Sequence, residues 1–292
     1  MKRRQFVKRT ALWSGIAWVN PGGLLPMPPA LPAHIGVQLY SVRDFMFKDV
    51  AGTLQKISAM GYREVEGAGY NAGKFYGMPP QEFKHVLQDN GLSMLSAHAM
   101  VDVADWDAAK GAVSDRFKQC AEASAQVGQE QIICPFVMPM NRTQDKMLAL
   151  CEVMNKAAEH CRQYNLRFGY HNHDFEFKPA GEKLLYEWIL ERTDPQLVTM
   201  QLDLYWVIKA GQDPLFWIAK HPGRFNSFHV KDMAKTEKQE TVEVGEGSID
   251  FRPIFAQAGV AGVKYYIVEL EHYQRPSIEG VEVALNNLKK LF

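Results

Sequence analysis

The chain contains no C-x-x-C pair, no G-x-x-x-x-G-K-[ST] loop, no G-x-S-x-G elbow and no H-E-x-x-H helix. Those absences remove zinc-ribbon and thioredoxin readings, P-loop nucleotide chemistry, serine-hydrolase chemistry and the common zinc-protease site. Only 4 of the 292 residues are cysteine. Cys151 and Cys161 fall in one predicted helix, ~15 Å apart at 1.5 Å per residue, which is beyond disulfide reach. Cys120 and Cys134 either pair or pack as small buried residues. Excess charge of one sign is also missing, with 33 Lys/Arg against 33 Asp/Glu. A nucleic-acid partner needs a basic patch on the folded domain, so none is expected.

Acidic residues are absent before His34, where five basic ones stand: Lys2, Arg3, Arg4, Lys8 and Arg9. Past that leader the chain is mildly acidic. "RRQFVK" precedes the apolar "ALWSGIAWV" and a Pro/Gly-rich exit, the parts of an export signal. The apolar run is far shorter than the roughly 20 residues of a bilayer span, so no stable membrane insertion is expected. The paired arginines with Phe6 and Lys8 resemble the twin-arginine signal. That resemblance implies contact with the export machinery, loading of any cofactor before export, and a periplasmic destination. The other reading is a disordered basic tail. The predicted division is a leader over 1–33 and one domain over 34–292.

From His34 onward, short apolar runs alternate with amphipathic stretches. Strand candidates begin at His34, Arg63, Leu92, Gln131, Leu166, Leu197, Arg224 and Lys264. Helical patterns cover 50–60, 80–89, 106–127, 143–164, 182–191, 214–220, 252–257 and 277–291. Glycines after the last turn, as in "AMGYREVE" and "QVGQEQII", mark helix ends. Eight ordered strand–helix pairs predict an α/β fold, a single-domain (β/α)8 TIM barrel. An open doubly wound sheet would usually carry a glycine-rich phosphate turn after its first strand. Here that strand ends in "QLYSVRD", and "GAGYNAG" follows the second strand instead.

Barrel enzymes work at the carboxyl ends of their strands. Those ends carry Gln38, Glu66, His98, Cys134, then His171 with His173, Asp203, His229 with Lys231, and Glu269 with Glu271. The histidines stand in "GYHNHDFEF" (Gly169–Phe177), and on a strand both would share one face. A charge inside a barrel is costly unless it is paired or bound to a cation. Two imidazoles and two carboxylates, His171, Asp203, His229 and Glu269, suit one divalent ion such as Mn, Zn, Co or Fe. Each alone reads more often as a satisfied core residue than as a ligand.

"LD" at Leu202–Asp203, "FHVKD" at Phe228–Asp232, "VGEGSIDF" at Val244–Phe251 and "IVELE" at Ile267–Glu271 resemble the xylose isomerase-like barrels. This sugar isomerase/epimerase group includes ketose 3-epimerases and inosose dehydratase. The resemblance implies a divalent metal on a strand-five carboxylate, Asp203, His229 and Glu269. The chain departs at the first of these, where His171 replaces the glutamate of the epimerases. That leaves Glu269 as the one ligand-derived base, with His173, Glu176 or Lys231 supplying the partner proton. One strong base plus an acid suffices for isomerisation or for β-elimination.

The leading expectation is therefore isomerase/epimerase-like proton abstraction beside the carbonyl of a non-phosphorylated sugar, with Glu269, His173 and Lys231 catalytic. The alternatives are a lyase or dehydratase acting on a 3-keto-glycoside or inosose-like substrate, and a non-catalytic sugar-binding barrel. Phosphodiester cleavage is weakened by the near-neutral charge and the single metal cluster. Gln38, Glu66, His98, Glu176 and Arg275 are the candidates for binding sugar hydroxyls. Tyr170, Phe175, Trp206 and Tyr273 could form an apolar wall. Homo-oligomerisation is left open.

Overall fold

Alternation along each strand sorts the side chains into two populations. In "RFGYH", Phe168 and Tyr170 join the core between sheet and helices, while Gly169 and His171 lie on the other face. The computed structural model describes residues 34–292, so the leader expected at 1–33 lies outside the described residues. Eight parallel strands close a barrel: β1 (Ile35–Gln38), β2 (Glu64–Gly67), β3 (Ser93–His98), β4 (Gln131–Cys134), β5 (Arg167–His171), β6 (Val198–Asp203), β7 (Phe225–Val230) and β8 (Tyr265–Val268). β8 pairs back onto β1 through Ile267 and Gly36.

The principal helices are α1 (Val50–Ala59), α2 (Pro80–Asp89), α3 (Asp115–Val127), α4 (Gln144–Arg162), α5 (Leu185–Arg192), α6 (Pro214–Lys220), α7 (Phe251–Ala256) and α8 (Ser277–Leu288). The predicted barrel is thus the observed one. No helix among the described residues is long and apolar enough to cross a membrane.

Two expectations fail locally. The helix predicted over 106–127 starts only at Asp115, because Trp106–Asp107 pairs with Ala112–Val113 as a small ribbon. Asp107 closes its turn by accepting from the Ala109 and Lys110 amides, and Ser114 caps the helix through the Phe117 amide. The second concerns the cysteines. All four are free and buried, so Cys120 and Cys134 do not pair and instead fill space in the core.

Two register shifts bear on the site. One lies between Val65 and Glu66 against β3, the other between Met200 and Gln201 against β7. Such irregularities re-aim side chains, and here they precede two residues of the polar layer inside the barrel. Leu95, Tyr265 and Ile267 form a separate apolar cluster on the inward side of the sheet.

Candidate metal centre

Glu66 anchors the polar layer. It is fully buried, and its Oε2 accepts from Ser96 Oγ at 2.5 Å and Gln201 Nε2 at 2.7 Å. Its Oε1 accepts from Gln38 Nε2 at 2.8 Å and lies 2.6 Å from His229 Nε2 and 3.0 Å from His98 Nε2. Burial pushes this carboxyl up, but His98 and His229 outweigh it and hold it well below the usual range. Glu66 and Gln38 do not line the cavity. Their expected contacts with sugar hydroxyls are corrected: Glu66 is spent on His229 and His98, and Gln38 on Glu66 and the Tyr40 amide.

Above that layer, Asp203, His229 and Glu269 each offer a ligand atom within 4.8 Å of the others. His98, His171 and His229 form a second such group. Asp203 ends β6 and caps the short helix Leu204–Lys209, its Oδ1 accepting from the Trp206 amide at 2.9 Å. Its Oδ2 is buried and accepts no hydrogen bond from the protein. The Lys231 ammonium is 3.0 Å away, in an ion pair whose angle makes no hydrogen bond. His171 Nε2 and His229 Nδ1 stand 3.7 and 3.8 Å from the same oxygen. Those distances exceed a hydrogen bond but match two neighbouring ligands of one tetrahedral ion, about 3.4 Å apart at ordinary zinc bond lengths.

The donor set and the unpartnered oxygen fit a divalent metal. Of the sequence-predicted ligands, Asp203, His229 and Glu269 form one group, and His171 adjoins it through Asp203 and His229. His229 Nδ1 also lies 2.9 Å from Glu269 Oε2. Its other nitrogen rests on Glu66, the carboxylate support that orients a ligating histidine. His171 Nδ1 is 3.0 Å from Gln201 Oε1, which leaves Nε2 toward Asp203.

Lys231, just past β7, is almost fully buried. Its Nζ lies 2.7 Å from Glu269 Oε2 and 2.5 Å from Glu271 Oε1. Burial alone would lower its pKa, but Asp203, Glu269 and Glu271 raise it well above the ordinary value. Asp203 is pushed up to about 6 by burial, against the pull of Lys231 and His229. Glu269 is lowered, since Lys231 and His229 overcome its burial. His229 rises to about 9: burial opposes the charge, and Glu66 and Glu269 outweigh it. Burial lowers His171 well below its usual value, with further repulsion from His229, and takes His173 to about 3.

A cavity of 230 Å³ opens over this cluster, lined by Tyr40, Ala68, His98, Pro135, Phe136, His171, His173, Lys231, Glu269 and Glu271. Its two sides differ in chemistry. Lys231, Glu269 and Glu271 come from the ends of β7 and β8, while His98, Phe136, His171 and His173 come from β3 to β5. No carboxylate lines the second side. His173 sits edge-on to Phe136 at 5.5 Å between ring centroids and 5.3 Å from Trp206.

Three further expectations are corrected. Glu176 is fully buried on the helix side of the sheet, bonded to Tyr170 Oη at 2.5 Å and the His173 amide at 2.8 Å, so it does not reach the cavity. Arg275 is held by Glu243 at 2.8 Å and Glu246 at 2.6 Å and does not line the cavity. Of the expected aromatic wall, Tyr170 and Phe175 are buried in the core and Tyr273 packs on Arg43. The aromatic lining is Tyr40, in a short 3-10 turn (Leu39–Val42) after β1, and Phe136, in the loop after β4, and neither carried a periodic signal.

The "VGEGSIDF" loop is held by Asp232, which accepts from the Gly245, Gly247 and Ile249 amides at 2.9–3.0 Å. A Cβ at Gly247 would collide with that carboxylate, which accounts for the glycine.

Barrel and cluster together define a single-domain (β/α)8 protein with metal-competent side chains at its strand ends. The chain belongs to the xylose isomerase-like TIM barrel family, whose model matches residues 54–291. It is 32% identical to a sugar phosphate isomerase/epimerase of Parabacteroides distasonis of known structure, covering 87% of this chain and 96% of that one, with a TM-score of 0.73. It is 26% identical over 129 residues to the inosose dehydratase of Clostridium tetani, 39% of this chain and 43% of that protein. The chain spans about half the length of the curated relatives it matches. The IOLI protein, solved with a bound zinc atom, shares the fold at 14% identity and a TM-score of 0.68, over 88% of this chain and 97% of that one.

Proposed function

We propose that this chain is a metal-dependent lyase of the dehydratase type. In this reading it removes a proton beside the carbonyl of a non-phosphorylated, sugar-derived ketone and expels the oxygen substituent on the next carbon. The observation that carries the reading is the one-sided cavity: acid and base stand together near β7 and β8, with no carboxylate opposite them. An epimerase working on both faces of a carbon needs a second base across the substrate. An elimination needs one base and one nearby acid. The name inosose dehydratase on curated relatives supports the same choice.

His171, Asp203, His229 and Glu269 would hold the ion, of the Mn, Zn, Co or Fe series, as the donor set suits. Such an ion supplies Lewis acidity toward the carbonyl oxygen. The protein contacts of Glu269 fall on Oε2, so Oε1 is the atom that takes the proton. The electrons of the broken C–H bond form the double bond as the C–O bond breaks, and Lys231 Nζ protonates the departing oxygen. The 2.7 Å between Lys231 and Glu269 then lets the abstracted proton return to the amine.

A phosphate would need a free cation. Lys231 already faces three carboxylates, which supports a non-phosphorylated substrate. An exported, periplasmic location, as the leader suggests, fits the same substrate class.

The test is product mass in deuterated water with a panel of cyclic keto-polyols and keto-glycosides. Loss of water or an alcohol is expected. A product of unchanged mass carrying deuterium would overturn the lyase reading in favour of the isomerase/epimerase one. Saturable sugar binding that survives chelation, without exchange, would indicate a binding barrel.

A further inference from the structure

Ala68, His98 and Pro135 line two cavities at once: the one over the cluster and a second of 430 Å³ beside it. The two chambers are therefore neighbours through a shared wall of side chains. The second is bounded by Tyr70, Asn71 and Ala72 on one side and by Arg116 and Gln119 of α3 on the other. Tyr70–Asn71 pairs with Lys74–Phe75 as a ribbon in the loop after β2. The ribbon tip rests on α3, where a Cβ at Gly73 would lie 2.9 Å from Gln119 Nε2.

The first chamber, at 230 Å³, is smaller than the roughly 300–1,000 Å³ of ordinary ligand sites, whereas the second, at 430 Å³, falls inside that range. The chemistry of the second chamber is neutral. It has no lining carboxylate, and its one cation, Arg116, is spent on Asp105, with Nε 3.1 Å from Oδ1. Its polar lining includes the amides of Asn71 and Gln119, which can both donate and accept, as hydroxyl groups require. Ala68, Ala72, Ala99, Met100 and Pro135 supply apolar surface.

We propose that the second chamber is a subsite for the leaving half of a two-ring substrate. A keto-glycoside would react over the cluster while its neutral, hydroxylated second ring lies between the ribbon and α3. This rests on the elimination reading, with an alcohol rather than water as the departing group: the C–H proton goes to Glu269, the C–O bond breaks, and Lys231 protonates the oxygen of the second ring.

The experiment compares a keto-disaccharide with the matching methyl keto-glycoside, in the wild type and in Asn71→Ala/Gln119→Ala. Both positions are exposed, so the fold tolerates the change. Wild-type kcat/KM should favour the disaccharide by about tenfold, the effect of two neutral hydrogen bonds, and the double variant should bring the ratio toward one through KM. Elimination of both ketones with no preference in the wild type would overturn the subsite and leave the lyase reading intact.

Calorimetry with the unoxidised disaccharide and methyl glycoside reads the subsite without turnover. Tighter disaccharide binding that depends on Asn71 and Gln119, with neither ketone eliminated, would keep the subsite and remove the lyase reading. Equal binding of the two glycosides would count against the subsite.

Discussion

His229 Nε2 lies 2.6 Å from Glu66 Oε1, so an imidazole of β7 is fixed by a carboxylate of β2 with both groups fully buried. Glu66 receives its other partners through the same two oxygens, and an amide there would present a donor to donors. Glu66→Gln should therefore weaken metal binding by about 10–100-fold, the usual effect of losing such a support. Competition with a chelator measures it. Unchanged affinity would show that His229 needs no carboxylate behind it.

Asp203 does two separable things. Its Oδ1 caps a helix, while its Oδ2 has no hydrogen bond. Asparagine caps about as well as aspartate. Asp203→Asn should lose stoichiometric metal, read by elemental analysis, and should lower the melting temperature of the metal-free protein only through the lost ion pair with Lys231, since the cap is kept. Full metal content in the variant would remove Asp203 from the ligand set.

Lys231→Met should retain metal yet lose about 10²–10⁴ in turnover, the range of general acid catalysis. A substrate whose leaving group departs without a proton should recover most of that loss. Absence of recovery would mean that Lys231 organises the carboxylates instead of protonating the leaving group.

Burial pushes the Glu176 carboxyl up to about 8 from an ordinary 4.5, against the bonds from Tyr170 and the His173 amide. Between those values the folded chain keeps a proton that the unfolded chain has lost, so stability falls as pH rises through this window. Below it both states are protonated and the effect vanishes. Glutamine mimics the protonated acid, accepting from the His173 amide and donating to Tyr170. Glu176→Gln should match the wild type near pH 4.5 and exceed it at pH 8.5 by a few kcal/mol in urea unfolding. Parallel pH profiles would show that Glu176 is ionised in the fold.

The Trp106–Val113 segment forms a ribbon where its pattern predicts a helix. Its apolar spacing suits a helix, but the turn at Asp107 and the cap at Ser114 are local hydrogen bonds that override periodicity. Glu176 illustrates a different limit. It follows two cavity histidines in sequence, yet the turn Phe175–Phe177 carries it behind the sheet to the Tyr170 hydroxyl. Arg275 was equally plausible at the mouth until Glu243 and Glu246 captured it. Tyr40 and Phe136 line the cavity from a short 3-10 turn and a loop, where no repeat marks a residue as functional.

By itself the sequence determined the barrel, because strand and helix periods are local and each strand end is countable from them. It also determined which chemistries were on offer, since imidazoles and carboxylates recur at the last residues of β5 to β8. Tertiary structure decided how each was used. Whether a carboxylate faces a cavity, supports an imidazole or is buried behind the sheet depends on partners distant in sequence, 28 to 163 positions away for Glu66. Burial makes every unpartnered polar atom costly, so closing the barrel consumed Glu66 and Gln38 in positioning and left Asp203 Oδ2 facing two imidazoles and an ammonium.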